Sequence, residues 1–193
     1  MIKTREDGWG LVCEYIQSES LRRHCLAVET AMRAYALKFD EDPERWGMVG
    51  LIHDFDYEIH PTLDQHPQDG VPILRERGFP EDVINDALSH ADHLELQRDT
   101  PIRKVIFAVD ELTGFISAVA LVRPSKAVAD VTPSSVKKKM KDKAFARAVD
   151  REAMLQGAEG LGVPFEDHLA FVIAAMAQNA GALGLAGIIA DES

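Results

Sequence analysis

Residues 101–121, PIRKVIFAVDELTGFISAVAL, read as one long apolar helix with a carboxylate, Asp110, set in its middle. Every near neighbour of Asp110 except Glu111 is apolar or small. A carboxylate in such surroundings needs a partner, because burying an uncompensated charge is costly, and a cation is the most economical one. Alternating strand patterns are absent, while apolar residues recur at three- and four-residue steps. Leu21, Cys25, Val28, Met32 and Tyr35 form such a stripe on a helix that Ser18 or Ser20 can cap and that ends near Lys38. These features imply an all-α fold.

The remaining helices follow from their punctuation. Residues 4–17 make a short helix, and Pro43, after an acidic turn, opens one that holds Trp46, Val49, Gly50, Ile52 and His53 and stops around 54–57. Residues 67–77 are predicted helical, with Pro67 near the start and Gly78 as the cap. Pro80 opens a helix carrying Val83, Ile84, Ala87, Leu88 and His90. Beyond residue 121 come the polar loop RPSKAVADVTPSS, a basic helix over 134–149, and final helices near 151–161 and 165–179. No repeat or long linker interrupts this order. The chain is therefore read as a single domain over 1–193, with a core at about 20–121 and a basic loop, basic helix and C-terminal helices over 122–193.

The 193 residues, 46% hydrophobic and 27% charged, suffice for one well-formed core and argue against disorder. A net charge of -11 disfavours nonspecific nucleic-acid or anionic-membrane partners, since phosphate contacts need a basic face. It leaves room for a phosphorylated small-molecule substrate, because a metal can supply positive charge locally. Cys13 and Cys25 form no CxxC pair, and MIKTREDGWG has no apolar signal core, so the cytoplasm is the expected compartment. The stretch from Leu169 to Ala190 carries no charge and is long enough to span a bilayer. Gln178, Asn179, Gly181, Gly184, Gly187 and many alanines weaken it, so it reads as a buried helix with a small-residue tail, a segment that can also pack in a homodimer.

The chemistry centres on LIHDFDYE, where His53 and Asp54 end an apolar helix. Both side chains are costly to bury unless paired or metal-bound. His24 lies about one helix upstream, on the stripe of Leu21 and Val28. Taken singly, His24 also reads as a satisfied core histidine and Asp110 as a buried acceptor for a helix cap. Together the order His24, His53–Asp54, Asp110 resembles the HD superfamily of metal-dependent phosphohydrolases, over about residues 20–121. Arg23 beside His24, the apolar run before His53 and the helix around Asp110 fit the same family.

That resemblance implies an HD-domain helical bundle with a C-terminal helical extension, in which His24, His53, Asp54 and Asp110 bind a divalent metal. The segment from His66 to Pro80 is similar to the family's His-x-x-x-Gly stretch, and LSHADH places His90 where two-metal members have their next histidine. The six-ligand set His24, His53, Asp54, His66, His90 and Asp110 resembles a subgroup with two kinds of member. One kind splits diadenosine tetraphosphate, and the other is an oxygenase with a mixed-valent di-iron centre. On the residues alone, His66 and His90 can instead contact substrate phosphate. His60 and Asp64 share the loop of His66, and His93 follows His90 by one helical turn, so either histidine of each pair can be the ligand. His60, Asp64 and His93 are otherwise read as supporting or solvated residues, and His168 as a surface residue. VALVRPSK and SVKKKMKDKAFARAV are similar to an HDIG-like bacterial branch of predicted hydrolases.

One or two ions (Mn, Fe, Co, Ni, Zn or Mg) suit these ligands, and such an ion lowers the pKa of bound water toward about 7 for attack on phosphorus. Asp54 and Asp56 are the catalytic candidates. Asp54 can bridge two metals, and Asp56 can orient a ligand histidine, handle a proton, or be a solvated loop acid. From Arg123 to Arg151 the chain gathers nine positive charges against Asp130, Asp142 and Asp150. Arg123 and Lys126 read as substrate-phosphate ligands, while most of the lysines over 137–143 read as a solvated face or a surface for an acidic partner. The expected function is hydrolysis of a phosphate ester or anhydride of a nucleotide or small metabolite. The alternatives are a di-iron oxygenase on the same ligands, or a noncatalytic metal-stabilised sensing or interaction module.

Overall fold

The computed structural model describes residues 3–188, and nine α-helices are the main regular elements among them. Apart from short 3-10 turns, the described residues add only an antiparallel backbone bridge between Ala127 and Ala186. The all-α expectation therefore holds. The chain divides into two compact units, Met1–Phe107 and Ala108–Ser193.

The first unit holds α1 (Arg5–Tyr15), α2 (Glu19–Lys38), α3 (Pro43–Ile52), α4 (Val71–Glu76), α5 (Glu81–Leu88) and the start of α6 (Pro101–Leu121). The first three of these helices start on a side-chain cap. Thr4 and Asp7 form a capping box at α1, Ser18 accepts from Leu21 at α2, and Asp42 accepts from Glu44 just before Pro43. The Arg22 guanidinium donates to the carbonyls of Cys13 at 2.8 Å and Ile16 at 2.6 Å, closing the end of α1.

Helix α3 packs on α1, α2 and α5 and is buried from Trp46 to Ile52. Its close approach to α2 requires glycine: a Cβ at Gly50 would lie 2.8 Å from Met32 Cγ and 3.0 Å from the Glu29 backbone. This contact fixes the end of α3, where His53 follows. Two carboxylates are buried nearby, and nothing in the residue pattern announced either. Glu29 accepts from Arg5 Nε at 2.6 Å and Arg33 Nε at 2.9 Å, and Asp86 accepts from Arg45 Nη2 at 2.6 Å and Arg103 Nε at 2.7 Å. Both are ion clusters in which each carboxylate meets two guanidinium groups.

Two boundaries differ from expectation. The helix placed at 67–77 is a 3-10 turn over Gln68–Gly70 followed by α4, with Gly78 at φ +75 as its left-handed stop. His90 lies past the end of α5 because Ser89 Oγ donates to the Asp86 carbonyl at 2.6 Å, turning the chain after Leu88.

The second unit holds the rest of α6, α7 (Pro133–Met140), α8 (Arg151–Gly160) and α9 (Phe165–Gln178), with α7 and α8 packed on α9. A Cβ at Gly157 would lie 2.5 Å from Ala108 Cα, so only glycine lets α8 sit on α6 there. The basic helix expected over 134–149 ends at Met140. Lys137 and Lys141 stand four residues apart with like charge, and the Asp142 carboxylate accepts from Ala144 N at 3.0 Å in place of a helical carbonyl. Arg151 then holds the turns that follow, donating to the carbonyls of Met140 at 3.2 Å, Asp142 at 3.0 Å and Val149 at 3.3 Å, and to that of Phe145. Its charge therefore serves the backbone rather than the basic surface.

His168 is a correction of another kind. Expected at the surface, it is 1% exposed and its Nε2–H donates to the Ala108 carbonyl at 3.0 Å, because it begins the buried face of α9 that continues through Leu169, Val172 and Met176. After α9 the small-residue tail turns back. Leu185 O accepts from Val128 N and Ser125 O from Ile188 N, each at 2.9 Å. Ile189 and Ala190, the end of the charge-free stretch, lie outside the described residues. No single helix among the described residues is long and apolar enough to cross a membrane.

Candidate metal centre

His24 comes from α2, His53 caps the C-terminus of α3, and Asp54 and Asp56 occupy the turn just beyond it. That turn is tied to the start of α2, because the Glu58 carboxylate accepts from the backbone N–H groups of Gln17 and, at 2.9 Å, of Ser18. His66 stands before a cis peptide bond to Pro67. His90 is held in the turn after α5 by Arg98, which donates to the Ser89 carbonyl at 2.8 Å and lies 3.6 Å over the Phe107 ring.

Within the first unit these elements converge on Asp54. Its carboxylate lies 3.1 Å from His66 Nε2, 3.4 Å from His53 Nε2, 3.4 Å from His90 Nε2 and 3.5 Å from His24 Nε2. The ligand atoms of His24, His53 and Asp54 lie within 4.8 Å of one another, and so do those of Asp54, His66 and His90. Asp54 is thus common to two trios. Asp110 is carried by the middle of α6, in the second unit.

The donor set fits a divalent cation. Metal-bound imidazoles donate their rear N–H to an oxygen acceptor, which fixes the tautomer and leaves the other nitrogen's lone pair for the ion. Three rings here do so: His53 Nδ1 donates to Gly50 O at 2.8 Å, His90 Nδ1 to Ala87 O at 2.7 Å, and His66 Nδ1 to Asp56 Oδ1 at 2.9 Å. Neutral imidazole with carboxylate oxygen suits first-row divalent ions.

The same contacts shift the titrations. Burial alone would raise the Asp54 carboxyl, but His53, His66 and His90 hold it well below the usual carboxylate range. Burial pulls His66 down, yet Asp54 and Asp56 outweigh it and push its pKa up to about 9. A group whose folded pKa exceeds its unfolded value of 6.5 contributes stability below that value and loses it as pH rises through the folded one. Chelator-treated protein is therefore expected to show a melting temperature that falls between about pH 6.5 and 9, and His66→Gln should flatten that slope. An unchanged slope in the variant would remove His66 as its source.

The sequence-derived candidates separate as follows. His24, His53, Asp54, His66 and His90 come together. Asp56 is not a solvated loop acid but is fully buried, between His66 and His60. Asp64 and His93 are exposed, and His93 meets Gln68 Oε1 at 3.4 Å. Arg123 and Lys126 share one hydrogen-bonded turn of the second unit, with Arg123 half-buried and Lys126 exposed at φ 51. Sequence reasoning missed Glu58 and Arg98, whose roles rest on contacts across loops, and missed Gly70. A Cβ there would lie 2.7 Å from Asp56 Cγ, and the glycine that closes the His-x-x-x-Gly stretch was its available signal.

Residues 21–114 match the family model described as HD domain. No curated protein and no solved structure matches the chain. The matched span takes in the helix of His24, the doublet at the end of α3 and the first two-thirds of α6, and over these residues the chain carries an HD domain.

Proposed function

We propose that the chain is a metal-dependent phosphohydrolase that cleaves a phosphate ester or anhydride of a nucleotide or small metabolite. The observation that carries this reading is a single carboxylate, Asp54, faced by four imidazole Nε2 atoms. On this reading His24, His53 and Asp54 hold one ion, and Asp54, His66 and His90 hold a second. A divalent ion so held activates water and offsets negative charge on phosphoryl oxygens.

The chain's own groups do the rest. Asp56 keeps the Nδ1 proton of His66 in place, so that Nε2 stays directed toward Asp54. Asp54 supplies negative charge shared by both trios. Arg123 and Lys126 take substrate phosphate, Arg123 by a paired donor geometry that lysine lacks. Charge reversal at either, Arg123→Glu or Lys126→Glu, is expected to raise KM for a phosphorylated substrate at least about tenfold with kcat little changed. Unchanged KM would return both residues to an ordinary solvated turn. The reaction consumes a cytoplasmic metabolite, in keeping with two cysteines that form no disulfide.

Metal-loaded protein should release phosphate or nucleotide from a panel of phosphomonoesters, dinucleoside polyphosphates and cyclic nucleotides. Inertness across the whole panel would overturn the reading. A second reading, a di-iron oxygenase, would use the same two trios that share Asp54. It calls for oxygen consumption by iron-loaded protein and a mixed-valent paramagnetic signal.

A further inference from the structure

Asp56 has no exposed surface, and each of its oxygens meets a histidine. Oδ1 accepts from His66 Nδ1 at 2.9 Å, and Oδ2 accepts from His60 Nδ1 at 3.1 Å. A carboxylate removed from water to this extent is stable only when its oxygens are satisfied. Because both rings use Nδ1 as donor, both turn their Nε2 atoms away from Asp56. For His66 that atom lies 3.1 Å from Asp54 Oδ1 and 3.3 Å from His90 Nε2. The His60 side chain, 20% exposed, is the end of the row that reaches solvent.

Asp56 is confined on a further side. A Cβ at Gly70 would lie 2.7 Å from Asp56 Cγ and 2.8 Å from Oδ2, so the carboxylate lies directly against that backbone. His60 is itself held by its backbone N–H, which donates to the Asp56 carbonyl at 2.8 Å. The plane of the Asp56 carboxylate is therefore set by two contacts, and one of them belongs to a residue outside the donor set.

We infer that His60 is a positioning residue for His66, acting through Asp56. By holding Oδ2 it fixes the carboxylate plane, and the fixed Oδ1 then holds the Nδ1 proton and the ring direction of His66. The inference rests on the reading of His66 as a group that serves the centre through Nε2. Tyr57, whose ring meets His66 edge-on at 5.1 Å, offers no carboxylate in place of Asp56.

The test uses the full chain as wild type, His60→Ala and His60→Asn, the asparagine amide N–H standing in for Nδ1–H. Two quantities are read: water exchange of the His66 Nδ1 proton by ¹⁵N-edited NMR in chelated protein, and stepwise Mn²⁺ binding. His60→Ala should speed that exchange and weaken the second Mn²⁺ equivalent about 10- to 100-fold while sparing the first, with His60→Asn restoring both. Unchanged exchange in His60→Ala overturns the inference, as does equal weakening of both equivalents that asparagine does not rescue. If wild type takes no second equivalent, His66 is not a metal ligand and that part of the proposed function fails. The proton-exchange arm still decides His60 by itself.

Discussion

Asp54→Ala is expected to empty the centre and abolish turnover, with bound metal falling to near zero and activity by more than about 100-fold. The reason is geometric and electrostatic together. Four imidazole nitrogens lie 3.1 to 3.5 Å from this one carboxylate. Without its charge the rings keep their rear hydrogen bonds but lose the anion around which they gather. His66→Ala tests the second trio separately: two equivalents should fall to about one. Asp54→Asn, which keeps the size of the side chain and removes the charge, guards against simple misfolding of the alanine variant. Elemental analysis of purified, unchelated protein decides the matter, and full metal content in both Asp54 variants would sink the assignment of Asp54 as the common ligand.

The largest effect on stability is expected at Asp86, far in character from the metal chemistry. Its buried carboxylate holds Arg45 of α3 and Arg103 of α6 at 2.6 and 2.7 Å. Asp86→Ala leaves two guanidinium groups partly buried, with Asp82 at 3.0 Å as a remaining anion for Arg45 and the Gln97 carbonyl at 3.3 Å for Arg103. Removing one partner from a buried pair costs about 3–5 kcal/mol, or roughly 6–20 °C in melting temperature for a chain of this size. The exposed Asp82, removed in the same way, should cost no more than about 1 kcal/mol. Equal losses in the two variants, measured by thermal and urea unfolding, would show that burial of the carboxylate is not what matters.

The helix map was largely legible because its ends are written in residues with one backbone meaning. Ser18, Asp42 with Pro43, and Gly78 each stand where the chain stops or starts, and α6 runs over the residues its apolar pattern marked. The His–Asp doublet was legible because neither side chain belongs at the end of an apolar helix without a partner. Asp56 was legible as a candidate to orient a ligand histidine but not as a buried residue, since the turn that carries it has no period from which a direction can be read. His168 misled because Asp167 beside it suggests water, while the ring follows the apolar face that starts at its own position. Glu29 and Asp86 are one polar letter each on their helices. Their partners Arg5 and Arg45 stand 24 and 41 residues away, a relation that only the packing of α1, α2, α3 and α5 creates.

A carboxylate that belongs to two trios also bears on how such chains diverge. On the proposed reading, drift at His66 or His90 erodes only one trio, and a descendant keeps His24, His53 and Asp54 intact. Drift at Asp54 ends both trios at once. The loss is thus lopsided: a two-ion ancestor can pass to a one-ion descendant in a single substitution. The first trio is built on the end of α3 that Gly50 seats against α2.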